Sequence, residues 1–155
     1  MKKVFRINIY LSIIAFFISI FSNKIRDIEI KIKDILKKNA KKKYALLTSQ
    51  CRVGLIHILL YFKSKFKKRR EIIFCSYNLP EMVNVAKNLG FRVIFSDIDY
   101  FTGCYNLKDL KKKINKNTVA VVLTNMFNSY EQSQQIKKIC KFSNTFLIED
   151  NAIYF

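Results

Sequence analysis

Thr145-Phe146-Leu147-Ile148-Glu149-Asp150, an apolar run that ends on two acids, is the stretch that decides the fold. Read as a buried strand, it delivers a carboxylate to the carboxyl edge of a sheet, which is where α/β proteins build their ligand sites. The sequence ends five residues later, at Phe155.

Upstream of that strand the pattern alternates. Ala45-Leu46-Leu47-Thr48 reads as a short apolar strand, and residues 52–62 as a helix apolar nearly all round, hence buried. Glu71-Ile72-Ile73-Phe74-Cys75 reads as the next strand, and residues 79–88 as a helix closed by Gly90, which suits the left-handed position after a helix end. Arg92-Val93-Ile94-Phe95 follows, then a charged surface helix over 107–114. Val119-Ala120-Val121-Val122-Leu123 is a fully buried strand, and 131–142 a further helix. Continuous apolar strands separated by helices predict an α/β fold, a mainly parallel sheet sandwiched by helices with right-handed crossovers.

Composition narrows the function. The chain has 155 residues, 50% of them hydrophobic, enough for one domain with a sizeable core. Its 29 Lys+Arg against 11 Asp+Glu give a net charge of +18, which by itself raises nucleic acid or an anionic membrane. The basic residues are spread along the chain among abundant Ile, Asn and Phe, a bias that needs no partner, so no specific nucleic acid is expected. The one dense run, Lys63-Ser64-Lys65-Phe66-Lys67-Lys68-Arg69-Arg70, reads as a solvated loop, with phosphate or headgroup binding as the other reading. Cys51, Cys75, Cys104 and Cys140 form no CxxC pair, which argues against a zinc site or redox dithiol and for a reduced, cytoplasmic protein. The single histidine, His57, lies inside a helical run and reads as packed or half-exposed. Only three glycines occur, Gly54, Gly90 and Gly103, and they spell no GxGxxG or GxxxxGK[ST] nucleotide loop.

The first 43 residues read as a helical segment preceding the α/β domain over 44–155. Residues 7–21, opening on Ile7 and closing on Phe21, follow Met1-Lys2-Lys3 in the order of a signal peptide and have marginal length for a membrane span. Asn8, Ser12, Ser19 and Asn23 share a helical face, as in an amphipathic helix packed on protein. Packed helix, membrane anchor and uncleaved signal all stay open. Residues 24–43 read as a surface helix with Ile25, Ile28, Ile32, Ile35 and Leu36 as its apolar stripe.

Five segments in order carry a resemblance. They are Ser49-Gln50-Cys51-Arg52-Val53-Gly54-Leu55, then Ile72-Ile73-Phe74-Cys75-Ser76-Tyr77-Asn78, then Gly90 through Asp99, then Asn117-Thr118-Val119-Ala120-Val121-Val122, then Ile148-Glu149-Asp150-Asn151-Ala152. Together they resemble the DegT/DnrJ/EryC1/StrS family of pyridoxal-phosphate-dependent sugar aminotransferases. The resemblance runs from about Tyr44 to the end and covers the first part of the family's large domain, of fold type I, the aspartate aminotransferase architecture.

That resemblance implies roles. A Gly-Thr pair whose backbone holds the cofactor phosphate aligns with Cys51 and Arg52, where the helix start keeps its amide donors whatever the side chains. The Arg52 guanidinium either adds a charge-assisted bond or is a surface residue of the first turn. Leu79 stands where an aromatic ring often covers the cofactor, and Ile153 where a glutamine usually faces it. Asn125 and Asn128 replace a common histidine and glycine. Asp150 aligns with the aspartate that pairs with the pyridine nitrogen; the plainer reading is a turn cap after a strand. The family's cofactor-linking lysine lies beyond that aspartate, past the last residue here. The expectation is therefore an amino-terminal fragment of an enzyme of amino-sugar and surface polysaccharide biosynthesis, inactive alone, with weak non-covalent cofactor binding. Nucleotide-sugar substrates and a homodimer are implied by the family; marginal stability and a tendency to associate are expected because a truncated sheet leaves an unpaired edge and uncovered apolar faces. The alternative is a membrane-anchored basic α/β protein of non-catalytic function.

Overall fold

The structure, a computed structural model, describes residues 25–125 and 132–151. The chain divides into two compact units, Met1–Leu47 and Thr48–Phe155. In the first, helix α1 spans Ile25–Ala40, with Asp27 in its first turn and Lys37 and Lys38 in its last, charges that complement the helix dipole. Glu29 pairs with Lys33 and Asp34 with Lys37 along its polar side. Ile28, Ile32, Ile35 and Leu36 form the expected stripe, and all four remain exposed.

The second unit carries the sheet. Its elements are α2 (Cys51–Lys65), β1 (Glu71–Cys75), α3 (Pro80–Asn88), β2 (Arg92–Ser96), α4 (Leu107–Lys113), β3 (Thr118–Thr124), α5 (Ser133–Phe142) and β4 (Phe146–Asp150). The strands lie in the order β2-β1-β3-β4, every neighbouring pair parallel. Each central strand is buried along nearly its whole length because successive side chains feed opposite layers. Ile72 and Phe74 pack with Leu55, Leu59 and Phe62 of α2 and Met82, Val83 and Ala86 of α3. Ile73 and Cys75 pack on the other face with Leu110 of α4 and Ile136 and Cys140 of α5. The parallel α/β architecture predicted from the alternation is thus the observed one.

Two expectations fail here. The run Ala45-Leu46-Leu47-Thr48 is not a strand, and Leu46 is 68% exposed. An extended run becomes a strand only by joining a ladder, and this one joins none of the described strands. Helix α2 is not buried all round either. Only the stripe Leu55, Leu59 and Phe62 meets the sheet, while His57, Ile58, Leu60 and Tyr61 are exposed. Apolar side chains on the outer face of a covering helix are common, since burial there is decided by geometry and not by composition.

The basic run is solvated only in part. Lys63, Lys65, Lys67 and Lys68 are exposed, but Arg69 is half-buried and reaches across the amino edge of the sheet. Its Nε donates to the carbonyl of Thr118 at 2.8 Å, and Nη2 to that same carbonyl and to the carbonyl of Asn144 at 2.8 Å. One guanidinium thereby ties the entry of β3 to the turn before β4. Beside it buried Glu71 accepts from Asn115 at 2.7 Å and from Arg92 at 3.3 Å.

At the opposite edge Tyr105 is the largest fully buried side chain, and its hydroxyl donates to the carbonyl of Val122 at 2.6 Å. It sits where the chain, having left β1 for β2, crosses back to β3, the reversal at which doubly wound sheets open a crevice. Here only about 20 Å³ remains, between Cys75, Tyr77, Gly103, Cys104, Tyr105, Leu123 and Thr124. Burial holds the Tyr105 phenol well above its ordinary pKa, so it stays a neutral donor.

Replacing Arg69 by Ala strands the buried carbonyl of Thr118 and should cost about 1–3 kcal/mol, read as a lower urea midpoint with unchanged slope. Tyr105→Phe keeps the packing and loses only the hydroxyl, so a loss of about 0.5–1.5 kcal/mol is expected in the same measurement.

Candidate functional site

Helix α2 starts without help. Gln50, its N-cap, is extended at φ −150° and ψ 151°, and its side chain makes no capping bond. The Gln50 carbonyl takes the amides of Val53 and Gly54 at 3.1 and 3.2 Å, so the amides of Cys51 and Arg52 are the ones that point out of the helix start. An uncapped start of this kind attracts anions. The start of α3 differs: Pro80 has no amide hydrogen, Asn78 Oδ1 takes the Leu79 amide at 2.8 Å, and Glu81 adds a negative charge. Of the two helix starts, only that of α2 suits a phosphate.

Both starts border one cleft of about 540 Å³, lined by Gln50, Cys51, Arg52, Leu79, Glu81 and Met82. Asp150 reaches the same place from the sheet. It is the last residue of β4, registers with Thr124 of β3, and is 6% exposed. Its Oδ1 accepts from the Cys51 thiol at 3.6 Å. Burial first, then the Asp150 charge and that hydrogen bond, raise the Cys51 pKa, which keeps the thiol protonated and poorly nucleophilic at neutral pH.

Four of the five predicted residues therefore meet. Cys51, Arg52 and Leu79 line one cleft and Cys51 touches Asp150; Ile153 and Asn128 lie outside the described residues. Asn125 is 2% exposed at the end of β3, where its amide hydrogen donates to the Asp150 carbonyl at 2.9 Å and its side chain donates to Asn151. Sequence reasoning passed over Gln50, Glu81 and Met82, which no periodicity marks. It also passed over Asn78, whose Nδ2 donates to Thr124 at 2.9 Å and ties α3 to the end of β3; the Asn before Leu-Pro was the available signal.

The donor set fits pyridoxal phosphate at both ends. Outward amides and Arg52 suit the phosphate, and a buried strand-end carboxylate suits a protonated ring nitrogen. The weak S–H donor now on Asp150 is readily replaced by a charged N–H. A second groove of about 510 Å³, between Lys111, Ile114, Ile139, Phe142 and Ser143, lies at the amino edge, away from this chemistry. Among the described residues no cluster of His, Cys, Asp and Glu could hold a metal ion.

Comparison with known proteins agrees. Residues 22–153 match the model of the DegT/DnrJ/EryC1/StrS aminotransferase family. The chain is similar to the GDP-4-keto-6-deoxy-D-mannose 3-dehydratase of Yersinia pseudotuberculosis, 28% identical over 77% of this chain and 31% of that protein. It is likewise similar to the GDP-perosamine synthase of Vibrio cholerae, 28% identical over 53% of this chain and 22% of that protein. Among solved structures, the Escherichia coli GDP-4-keto-6-deoxy-D-mannose-3-dehydratase with bound hydrated PLP superposes with a TM-score of 0.66 at 26% identity, over 79% of this chain and 32% of that one. The chain thus spans about a third or less of the length of these relatives. A match across most of its length, with the parallel sheet of fold type I aminotransferases beneath it, shows that the chain belongs to the DegT/DnrJ/EryC1/StrS aminotransferase family.

Proposed function

We propose that this chain forms the phosphate and ring-nitrogen half of a pyridoxal phosphate site in a cytoplasmic, homodimeric enzyme acting on nucleotide-linked keto-sugars, with amino transfer in amino-sugar and surface polysaccharide biosynthesis as the reaction. The observation that carries this reading is the Cys51–Asp150 contact, which brings the uncapped start of α2 and the strand-end acid within one side chain of each other. The names of both curated relatives include a GDP-linked sugar, which supports the substrate class.

Each residue has a definite task. The amides of Cys51 and Arg52 hold the phosphate, and the Arg52 guanidinium strengthens that hold. Asp150 keeps a proton on the ring nitrogen, a charge-assisted bond of about 1.5–3 kcal/mol. Leu79 gives an apolar contact where it borders the cleft. Bound there, pyridoxal phosphate supplies a cationic ring that accepts the electron pair released at the substrate carbon. No lysine is among the described residues lining the cleft, and on this reading the chain by itself holds the cofactor without a covalent bond and does not transaminate.

The membrane-anchored alternative rests on residues 7–21, which lie outside the described residues. Among the described residues no helix is long and apolar enough to cross a membrane.

Titration of the purified chain with pyridoxal phosphate should show weak binding with free-aldehyde absorbance and protection of Cys51 from maleimide. Asp150→Asn should weaken that binding at least about tenfold. By removing a negative charge it should also lower the Cys51 pKa and hasten alkylation at pH 8. Unchanged binding in Asp150→Asn would overturn the ring-nitrogen assignment. Stoichiometric fixation by borohydride to one lysine, with amino transfer, would overturn the claim of non-covalent binding.

A further inference from the structure

The segment between β2 and α4 is tightly built for a surface loop. Ile98 and Tyr105 form an antiparallel bridge, and the Asp99 amide donates to the Cys104 carbonyl at 2.8 Å. Asp99 Oδ1 accepts from the amides of Phe101 and Thr102 at 3.1 and 3.0 Å and from the Thr102 hydroxyl at 3.1 Å. Gly103 takes φ 67°, a left-handed turn that its missing side chain permits, and its amide donates to the Asp99 carbonyl at 2.8 Å. Buried Tyr105 anchors the base of the loop.

What this scaffold presents is apolar. Tyr100 and Phe101, at its tip, are 90% and 92% exposed. Their rings stand edge to face, 5.5 Å between centroids and 86° between planes, which leaves ring faces turned to solvent. Two large rings held in water by a turn with several internal hydrogen bonds contribute nothing to the core. They offer a preorganised stacking surface, which costs a ligand little ordering entropy.

Its position indicates the ligand. Gly103 and Cys104 abut Tyr77, Leu123 and Thr124, so the loop folds over the carboxyl ends of the central strands, and Thr124 registers with Asp150. From β2 to β4 there are three strand spacings, about 14 Å in all. A nucleotide-linked sugar whose sugar lies in the cleft near Asp150 can reach that far through its diphosphate. Exposed Asp97, at the foot of the loop, repels phosphates. The group that suits the tip is therefore the neutral base, with the diphosphate spanning the sheet edge between tip and cleft.

We propose that Tyr100 and Phe101 seat the nucleobase of the nucleotide-linked substrate, an assignment that rests on the substrate class proposed above. The test is equilibrium dialysis of the full chain with GDP, with mannose 1-phosphate as a base-free control. The wild type should retain GDP more tightly than the control, and the double variant Tyr100→Ala, Phe101→Ala should lose about tenfold in GDP affinity. Control binding should stay unchanged, while Tyr100→Phe with Phe101→Tyr, which keeps both rings, should bind GDP like the wild type. GDP held no better than the control, or equally by the Ala variant, overturns the proposal. So does a change in sedimentation of the Ala variant with GDP binding intact, which would mark the rings as a contact for a second copy. Pyridoxal phosphate titrated on the same samples separates the two readings. Its failure to bind, with ring-dependent GDP binding intact, removes the cofactor assignment and supports the base seat.

Discussion

Two strands buried on both faces, β1 and β3, impose the condition that the rest of this unit obeys. With water excluded from either side, their backbone groups must be paired within the sheet and their side chains covered by helices. Helices α2 and α3 supply one cover, α4 and α5 the other. Because every connection returns over the sheet, all four strands run the same way and all carboxyl ends emerge at one edge. Asp150, Asn125 and the loop bearing Tyr100 and Phe101 share that edge for this reason.

The two edges are finished differently. At the amino edge the Arg69 guanidinium satisfies the Thr118 and Asn144 carbonyls, and Glu71 accepts from Asn115 and pairs with Arg92. At the carboxyl edge Gln50 leaves its helix uncapped, and the buried Asn125 Oδ1 has no hydrogen-bond partner among the described residues. Leaving a buried acceptor unpaired costs about 1–3 kcal/mol. The amino edge is thus tied across strands by the Arg69 side chain, while the carboxyl edge keeps an uncapped helix start beside its strand-end acid.

Much of this was legible in the sequence. Strand runs such as Val119-Ala120-Val121-Val122-Leu123 announce themselves because a doubly buried strand has no polar face, and Asp150 because an acid ends such a run. What escaped was whatever depends on partners distant in sequence. Ala45-Leu46-Leu47-Thr48 has strand composition and no ladder to join. Residues 52–62 are apolar nearly all round, yet the sheet covers one stripe only. Arg69 looks like one more cation in a basic run until its carbonyl partners, 49 and 75 residues away, are known. Tyr105 fills the switch-point crevice, but its sequence neighbours show only a polar turn.

The site also separates what can drift from what cannot. On the proposed assignment Cys51 and Arg52 stand where the family has Gly and Thr, and phosphate recognition through backbone amides is indifferent to that exchange as long as the helix starts there. Leu79 contributes only apolar area, which many side chains supply. Asp150 has no such latitude, because its proposed task requires a charge at one point, held by burial, by register with Thr124 and by its neighbour Cys51. Divergence at the first three positions therefore argues little against the cofactor, and the acid is where the reading is most exposed. An amide side chain at position 150 would preserve the shape of the strand end while removing the charge that the ring nitrogen needs.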